Sequence, residues 1–506
     1  MKKLIFSALS VFMLSSLSYA QTTSEAYQFS NNQLYGTARF VGLSGAFGAL
    51  GGDLSAVSEN PAGSAIFNNS FGSIAIGQGG SNYTTDFFNN QNNTEEFGAT
   101  FNQIGGVLIL KENDINTRVE KIALALNYNK TNDFDAEYTI SGSPNNTIGG
   151  FFVGQANGIS NSDLSIIGDE SLLDAYLAIG NTPELGAVGQ QAFLGFQSGL
   201  IDPSSFDDGN VSSYVSNSDG SVTTQASNIS SRGSGGKLSF NLAAAYESGL
   251  HLGANINLNT FNRVKDVAFV EENNFARVEY NINEKNVGAG VSADFGLIYK
   301  LESNLRLGLV YQTPVYYSVI TEVDQYINVD FTEEQDDLGF NQNVDPGVIF
   351  ENELYTLQTP GKFAASAAYI FGKKGLISFE YNSQDFSNTE YGDAFSGADE
   401  INDLIETTFQ RVNTYKLGAE IRNSNWTLRG GLSRSTTPYK DDNIGGDTRG
   451  FSLGTGYDWG QWRFDVAYNY QNVNSAETTF ENSSFRNTAN IDEERDRITV
   501  TLGINL

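Results

Sequence analysis

The chain has no cysteine among its 506 residues. That excludes a disulfide framework, thiolate chemistry and a lipid anchor on a cysteine after a leader. Histidine is nearly missing too: His251 stands alone. One imidazole, placed just after the turn residue Gly249, suits a turn cap better than a Ser-His apparatus or a haem ligand. No helix-spaced set of metal ligands is present, and no cofactor is expected. Basic residues are scarce, 29 against 59 acidic ones, which argues against nucleic acid as a partner. Beyond the first 20 residues no continuous apolar run of about 18 residues occurs, so no transmembrane helix is expected.

What is there begins with a leader. Lys2 and Lys3 precede the apolar stretch Leu4 to Leu17, and Ser18-Tyr19-Ala20 fits a small-x-small cleavage site before Gln21. Residues 1–20 read as a signal peptide, exported in a diderm bacterium.

Period-two alternation dominates the rest. In "VGAGVSADFGLIY", Val287, Val291, Phe295 and Tyr299 share a face opposite Gly288, Gly290 and Asp294. "TYKLGAEIR" sets Tyr415, Leu417, Ala419 and Ile421 against Lys416, Glu420 and Arg422. The last segment sets Ile498, Val500, Leu502 and Ile504 against Arg497, Thr499 and Thr501. A soluble sandwich alternates as well. Here every charge falls on the polar parity, as a lipid-facing surface requires, since mid-bilayer Lys or Arg costs about 2–4 kcal/mol. The runs reach about ten residues, the length of a tilted membrane strand. Aromatics such as Tyr299, Tyr316, Trp426 and Trp462 gather near strand ends, like interfacial girdles.

Fourteen candidate strands begin near Ser70, Phe101, Val119, Gly236, Leu250, Lys285, Asn304, Thr359, Gly375, Arg411, Asn425, Thr448, Gln461 and Glu494. Tight links such as "ESGL" and "DWG" alternate with long polar ones, the largest over 132–235. The fold class is therefore an all-β membrane protein, an antiparallel transmembrane β-barrel of about 14 strands over 70–506, with a helical extracellular loop. Pro314 is expected near the outer rim of the seventh strand.

Before the barrel lies a run of small residues. Gly42, Gly45, Gly48, Gly51 and Gly52 recur about every third residue, so a short helix there would carry a bare stripe for close packing. Asn60-Pro61 should end that element and turn the chain toward the first strand.

The segment "GLSGAFGALGGDLSAVSENPAG", Gly42 to Gly63, resembles the N-terminal hatch of FadL/TodX-type outer-membrane transporters. So do "LGLVYQTPV", "TPGKFAASAAYIFGKKGLISFEY" and "LRGGLSRSTTPY" further on. The resemblance implies a luminal hatch over 21–69, including Gly51, Gly52, Asp53, Asn60, Pro61 and Ala62. It implies import of hydrophobic small molecules, long-chain fatty acids above all; the lone His251 and the lack of cysteine and metal-ligand spacing lead to no expected enzymatic activity. The resemblance also implies lateral exit near a kinked third strand, although "VEKIALALNYNK" holds no Gly or Pro. Outer-membrane lipid, the hydrophobic ligand and the barrel-assembly machinery are the expected partners of a monomer.

Two ligand sites follow as expectations. "DESLLDAYLAIG" and "TPELGAVGQQAFLGFQSG" read as amphipathic helices, capped by Asp169 and by Thr182 with Pro183. Their Leu185, Phe193 and Phe196 either pack on the barrel rim or form a landing groove for lipid-like substrates. If Ile421 pairs with Trp426, Lys416 and Arg429 become diagonal neighbours in the lumen, free to receive a carboxylate or paired with Glu420 or hatch carboxylates. A general or structural porin-like barrel and a receptor for haem or another lipophilic ligand are the alternatives.

Overall fold

A computed structural model describes residues 23–506 apart from 112–117, 183, 206–210, 219–221, 302–303, 336–337, 352–353, 393–397, 442–443 and 483–484. The signal peptide and Pro183 lie outside the described residues.

Fourteen antiparallel barrel strands run in chain order. They are β1 (Phe71–Phe87), β2 (Asn90–Lys111), β3 (Val119–Asp133), β4 (Val222–Tyr246), β5 (Leu250–Asn273), β6 (Ala276–Lys300) and β7 (Leu305–Gln312). Then come β8 (Lys362–Ile370), β9 (Gly375–Asp385), β10 (Arg411–Asn423), β11 (Trp426–Ser435), β12 (Thr448–Asp458), β13 (Trp462–Asn482) and β14 (Phe485–Asn505). Each pairs with the next, and β1 pairs with β14 over Phe71↔Asn505 to Asp86↔Asn490. The β1–β14 pairing closes the sheet on itself, the condition for crossing hydrocarbon with strands. Among the described residues no helix is long and apolar enough to cross a membrane.

The wall is apolar outside and polar inside. Along β5, Ile256 is 67 % exposed while Asn255, Asn257 and Asn259 on the opposite parity are buried. Outward Leu, Ile and Phe continue around the barrel, among them Ile421, Leu428 and Leu453. A soluble globule would invert this order, because each aliphatic chain left in water forgoes about 1.5–3 kcal/mol of burial.

The polar connections differ from the expectation. Many are ladder, not loop. β2 begins at Asn90 rather than near Phe101, β4 at Val222 rather than Gly236, β6 at Ala276 rather than Lys285, and β14 at Phe485 rather than Glu494. Phe88 and Asn89, at φ 48° and 63°, make a two-residue turn between β1 and β2. These extensions have polar residues on their outward face too, so alternation fades although pairing persists. Pro314 likewise lies within the wall. A strand over Tyr316–Gln335 continues beside β6 after the interruption at 313–315.

The segment 132–235 holds a short strand (Ala136–Gly142), helices α4 (Ile148–Ala156), α5 (Leu172–Gly180) and α6 (Gly186–Gln197), and a small hairpin. Three short helices precede the barrel: α1 (Thr23–Ser30), α2 (Ala38–Val41) and α3 (Leu54–Val57). Ser171, not Asp169, caps α5 by accepting from Asp174 N. Leu185, not Thr182, occupies the N-cap of α6. A helix that the sequence reading missed, α7 (Ala398–Thr408), packs beside α1.

Candidate functional site: the luminal plug and its chamber

The N-terminal segment is built from side-chain caps. Thr37 accepts from Phe40 N, Asp53 from Ser55 N, and Asn60 from Ala62 N, starting α2, α3 and a 3-10 helix over Pro61–Ile66. Asn60-Pro61 therefore begins an element instead of ending one, with Pro61 where a missing N–H costs nothing. The glycine run is a series of turns, not a striped helix. Gly45, Gly51 and Gly52 take φ of 73°, 61° and 66°, a region that glycine enters without strain.

Barrel side chains grip this segment from all round. Thr501 accepts from Ala38 N at 2.7 Å and Ser452 from Ser44 N at 3.0 Å. Asn241 donates to Pro61 O, Asn255 to Val57 O and Gln312 to Ser58 O, each at 2.9 Å. Arg306 donates to Leu50 O at 2.8 Å. Asn60 reaches the other way, donating to Gly48 O at 2.6 Å and to Leu297 O on β6 at 3.1 Å. Plug and wall meet at glycines on both sides. A Cβ on Gly308 would lie 2.4 Å from Gly48 O, and one on Gly431 2.6 Å from Ser44 N.

Two charge clusters fasten the plug. Glu420 takes Arg39 of α2 at 3.1 Å and Arg429 at 2.7 Å, and Arg429 also holds Asp465 at 2.6 Å. Glu380 accepts from Phe47 N and Gly48 N at 3.1 and 2.7 Å and pairs with Lys416 at 3.1 Å. The β10–β11 register is two residues tighter than expected. Ile421 faces Leu428, so Arg429 stands directly opposite Glu420 and Lys416 opposite Ser433. Lys416 and Arg429 are thus paired internally and are not diagonal neighbours. Arg39 and Glu380 escaped the sequence reading. A lone Arg in the small-residue run "TARFVGLSGAFG" was the available signal for the first.

Above the plug lies a chamber of about 380 Å³. Its lining includes Tyr27 to Tyr35 and Ser58-Glu59 of the plug. Farther out, α4, α5 and α6 fill the strand extensions with an apolar core. Phe193 is fully buried there, with its ring 6.3 Å from Tyr176, while Phe196 packs on Tyr214 at 6.2 Å. Leu185 is partly buried against the same core. The three therefore pack on the rim and on each other. Burial raises the Tyr176 phenol well above its ordinary range, and its hydroxyl accepts from Gln325 at 2.8 Å. His251 is buried at the opposite end, with Nδ1 3.1 Å from Gly249 O, as a turn cap would be.

Beside the chamber the wall parts between β2 and β3. β2 and β3 pair from Lys111↔Lys121 only as far as Gln103↔Asn129. Beyond that point β2 pairs with β1, while β3 stays with β4 through an irregularity at Lys130/Asn132. Lys130 bridges the parting strands by donating to Thr100 Oγ1 at 2.9 Å, and Gln33 N of the plug donates to Thr131 O at 2.8 Å. No glycine or proline in β3 announced this break; Gly233, Gly235 and Gly236 sit on its partner β4.

Residues 207–506 match the family described as outer membrane protein transport protein (OMPP1/FadL/TodX). The chain belongs to this family. It is an outer-membrane β-barrel channel of the FadL/TodX type, which handles hydrophobic compounds and is not an enzyme. A FadL homologue of Pseudomonas aeruginosa aligns over 94% of this chain and 99% of its own at 11% identity, with a TM-score of 0.56. The Pseudomonas putida toluene transporter TodX aligns over 94% and 100% at 11% identity, TM-score 0.50. The CymD monoaromatic hydrocarbon channel aligns over 94% and 98% at 11% identity, TM-score 0.50. At such identities the likeness concerns the fold. No match is found among curated proteins.

Proposed function

We propose that this barrel takes up hydrophobic molecules bearing an acidic head, with long-chain fatty acids as the cargo. The density of cations in the chamber carries the reading. Eight Lys and Arg side chains line it, in a chain with only 29, and each is ion-paired with a carboxylate of wall or plug into whose place a cargo acid can exchange. An anionic head entering from outside meets these cations in a site of low dielectric, where each attraction is stronger than in water. On the outside of the cap of α4 to α6, Ile167 and Leu173 remain exposed and offer the tail an apolar surface on the way in. From the chamber the cargo leaves past the plug or through the parting of β2 and β3.

TodX and CymD, named for toluene and monoaromatic hydrocarbons, suggest a neutral cargo as the second reading. A neutral ring has no use for these cations, which favours the acid. The discriminating experiment is uptake by cells that express this barrel as their sole transporter of the family. Radiolabelled oleate should enter much faster than in cells without the barrel, with toluene entry unchanged. Toluene uptake without oleate uptake would replace the fatty acid with the aromatic cargo.

A further inference from the structure

On the floor of the chamber the plug presents Glu59, the residue before Asn60-Pro61, to three lysines from three separate strands. Lys362 of β8 contacts its carboxylate at 3.1 Å. Lys237 of β4 donates to the neighbouring Ser58 O at 3.1 Å and lies 3.7 Å from Asp294. Lys416 of β10 pairs with Glu380 at 3.1 Å. All three lysines and Glu59 line the chamber. Burial alone would raise the Glu59 carboxyl, but Lys362, Lys416 and Lys237 outweigh it and hold it down to about 2.

The charges balance only with a third carboxylate in place. Asp294 is committed to Asn255 at 3.1 Å, and Glu380 to two plug amides. Three lysines against those two fixed acids leave one positive charge, which Glu59 cancels. Glu59 is also reachable: its side chain is 21% exposed, whereas Arg429 and Glu420 are shut off completely. Asn382, buried on the same lining, leaves its side-chain oxygen without a hydrogen-bond partner.

We propose that Glu59 is a built-in stand-in for the cargo carboxylate. The plug fills the head-group seat of Lys237, Lys362 and Lys416 with its own acid, and an incoming acid displaces it. Exchange of one carboxylate for another preserves the charge balance, so the seat passes from plug to cargo at little electrostatic cost. Displacing Glu59 unfastens the chain next to Ser58 O, which Lys237 and Gln312 hold, and next to the Asn60 anchor. Arrival of cargo is thereby coupled to loosening of the plug.

This inference rests on the acidic-cargo reading, and the test separates the two. Oleate and methyl oleate are titrated against cis-parinarate bound to the full-length barrel in detergent, with heat-modifiable gel mobility confirming folding. In Glu59→Gln the competitor for the seat is weakened, so oleate should bind about tenfold tighter while methyl oleate is unmoved. In Lys362→Met oleate should weaken about fivefold or more, again without effect on the ester. Glu59→Gln binding oleate as the wild type does, or both variants shifting acid and ester alike, overturns the stand-in. Wild-type barrel that binds the ester as well as the acid, or neither, removes the acidic-cargo reading itself.

Discussion

Replacing Asn60 by alanine removes three hydrogen bonds at one buried point. The side chain caps Ala62 N, and its amide joins Gly48 O within the plug to Leu297 O in the wall. Loss of an N-cap costs about 0.5–2 kcal/mol. Each of the other two bonds adds about 0.5–1.5 kcal/mol, since the carbonyls stay buried. The plug should therefore detach more easily by about 1.5–5 kcal/mol, or roughly ten- to four-thousand-fold in its open population. Native-state hydrogen exchange reads this directly at Gly52 N, which donates to Gly63 O, and at Gly63 N, which donates to Asn60 O. Both amides should exchange faster by that factor, while the β13–β14 ladder keeps its protection. A correctly folded Asn60→Ala barrel whose Gly52 and Gly63 exchange at the wild-type rate would refute the anchoring role.

Leu453 on the outward face is 59 % exposed to what the fold makes lipid. Leu453→Arg should cost about 2–4 kcal/mol in refolding into liposomes, against about 0–1 for Asn490→Arg on the exposed extension of β14; equal costs would deny the lipid face. Glu420→Gln leaves Arg39, Arg422 and Arg429 without their shared partner. Its unfolding in denaturant should show a loss of about 3–5 kcal/mol, and a loss under about 1 kcal/mol would mean the cluster is not what fastens the plug. The Glu59 carboxyl is lowered from 4.5 to about 2, so its contact with Lys362 contributes fully above pH 4.5 and is lost as pH falls through 2. A nitroxide on the 3-10 helix should keep its restricted EPR spectrum down to pH 4 and gain mobility near pH 2; release already at pH 5 would contradict that pairing.

The lipid-spanning part of the fold was legible because one physical demand shaped it. Hydrocarbon on one side and water on the other force strict alternation, and Tyr415, Leu417 and Ile421 point outward as their parity required. Above the membrane that demand disappears. β13 and β14 keep pairing as far as Asn482↔Phe485, but with polar residues on their outward face they read as loop. Register was lost at a single turn. Ser424, at φ 53°, closes β10 and β11 with two residues, where a looser link would have placed Arg429 beside Lys416. The plug was visible as a run of small residues, but not what Asn60 does within it, because its wall partner Leu297 is remote in sequence and Gly48 reaches it only through the turns between them. Nor could spacing bring together Lys237, Lys362 and Lys416, which meet only once the barrel closes.

In this barrel cargo resides in the closed lumen between plug and cap. Photo-crosslinking the full-length protein in native outer membranes with a diazirine-tailed fatty acid, followed by mass-spectrometric mapping, locates it. Adducts are expected on the plug between Tyr27 and Tyr35 and on the inward faces of β4, β8 and β10. Adducts confined to outward positions such as Phe295 and Leu453 would contradict luminal residence.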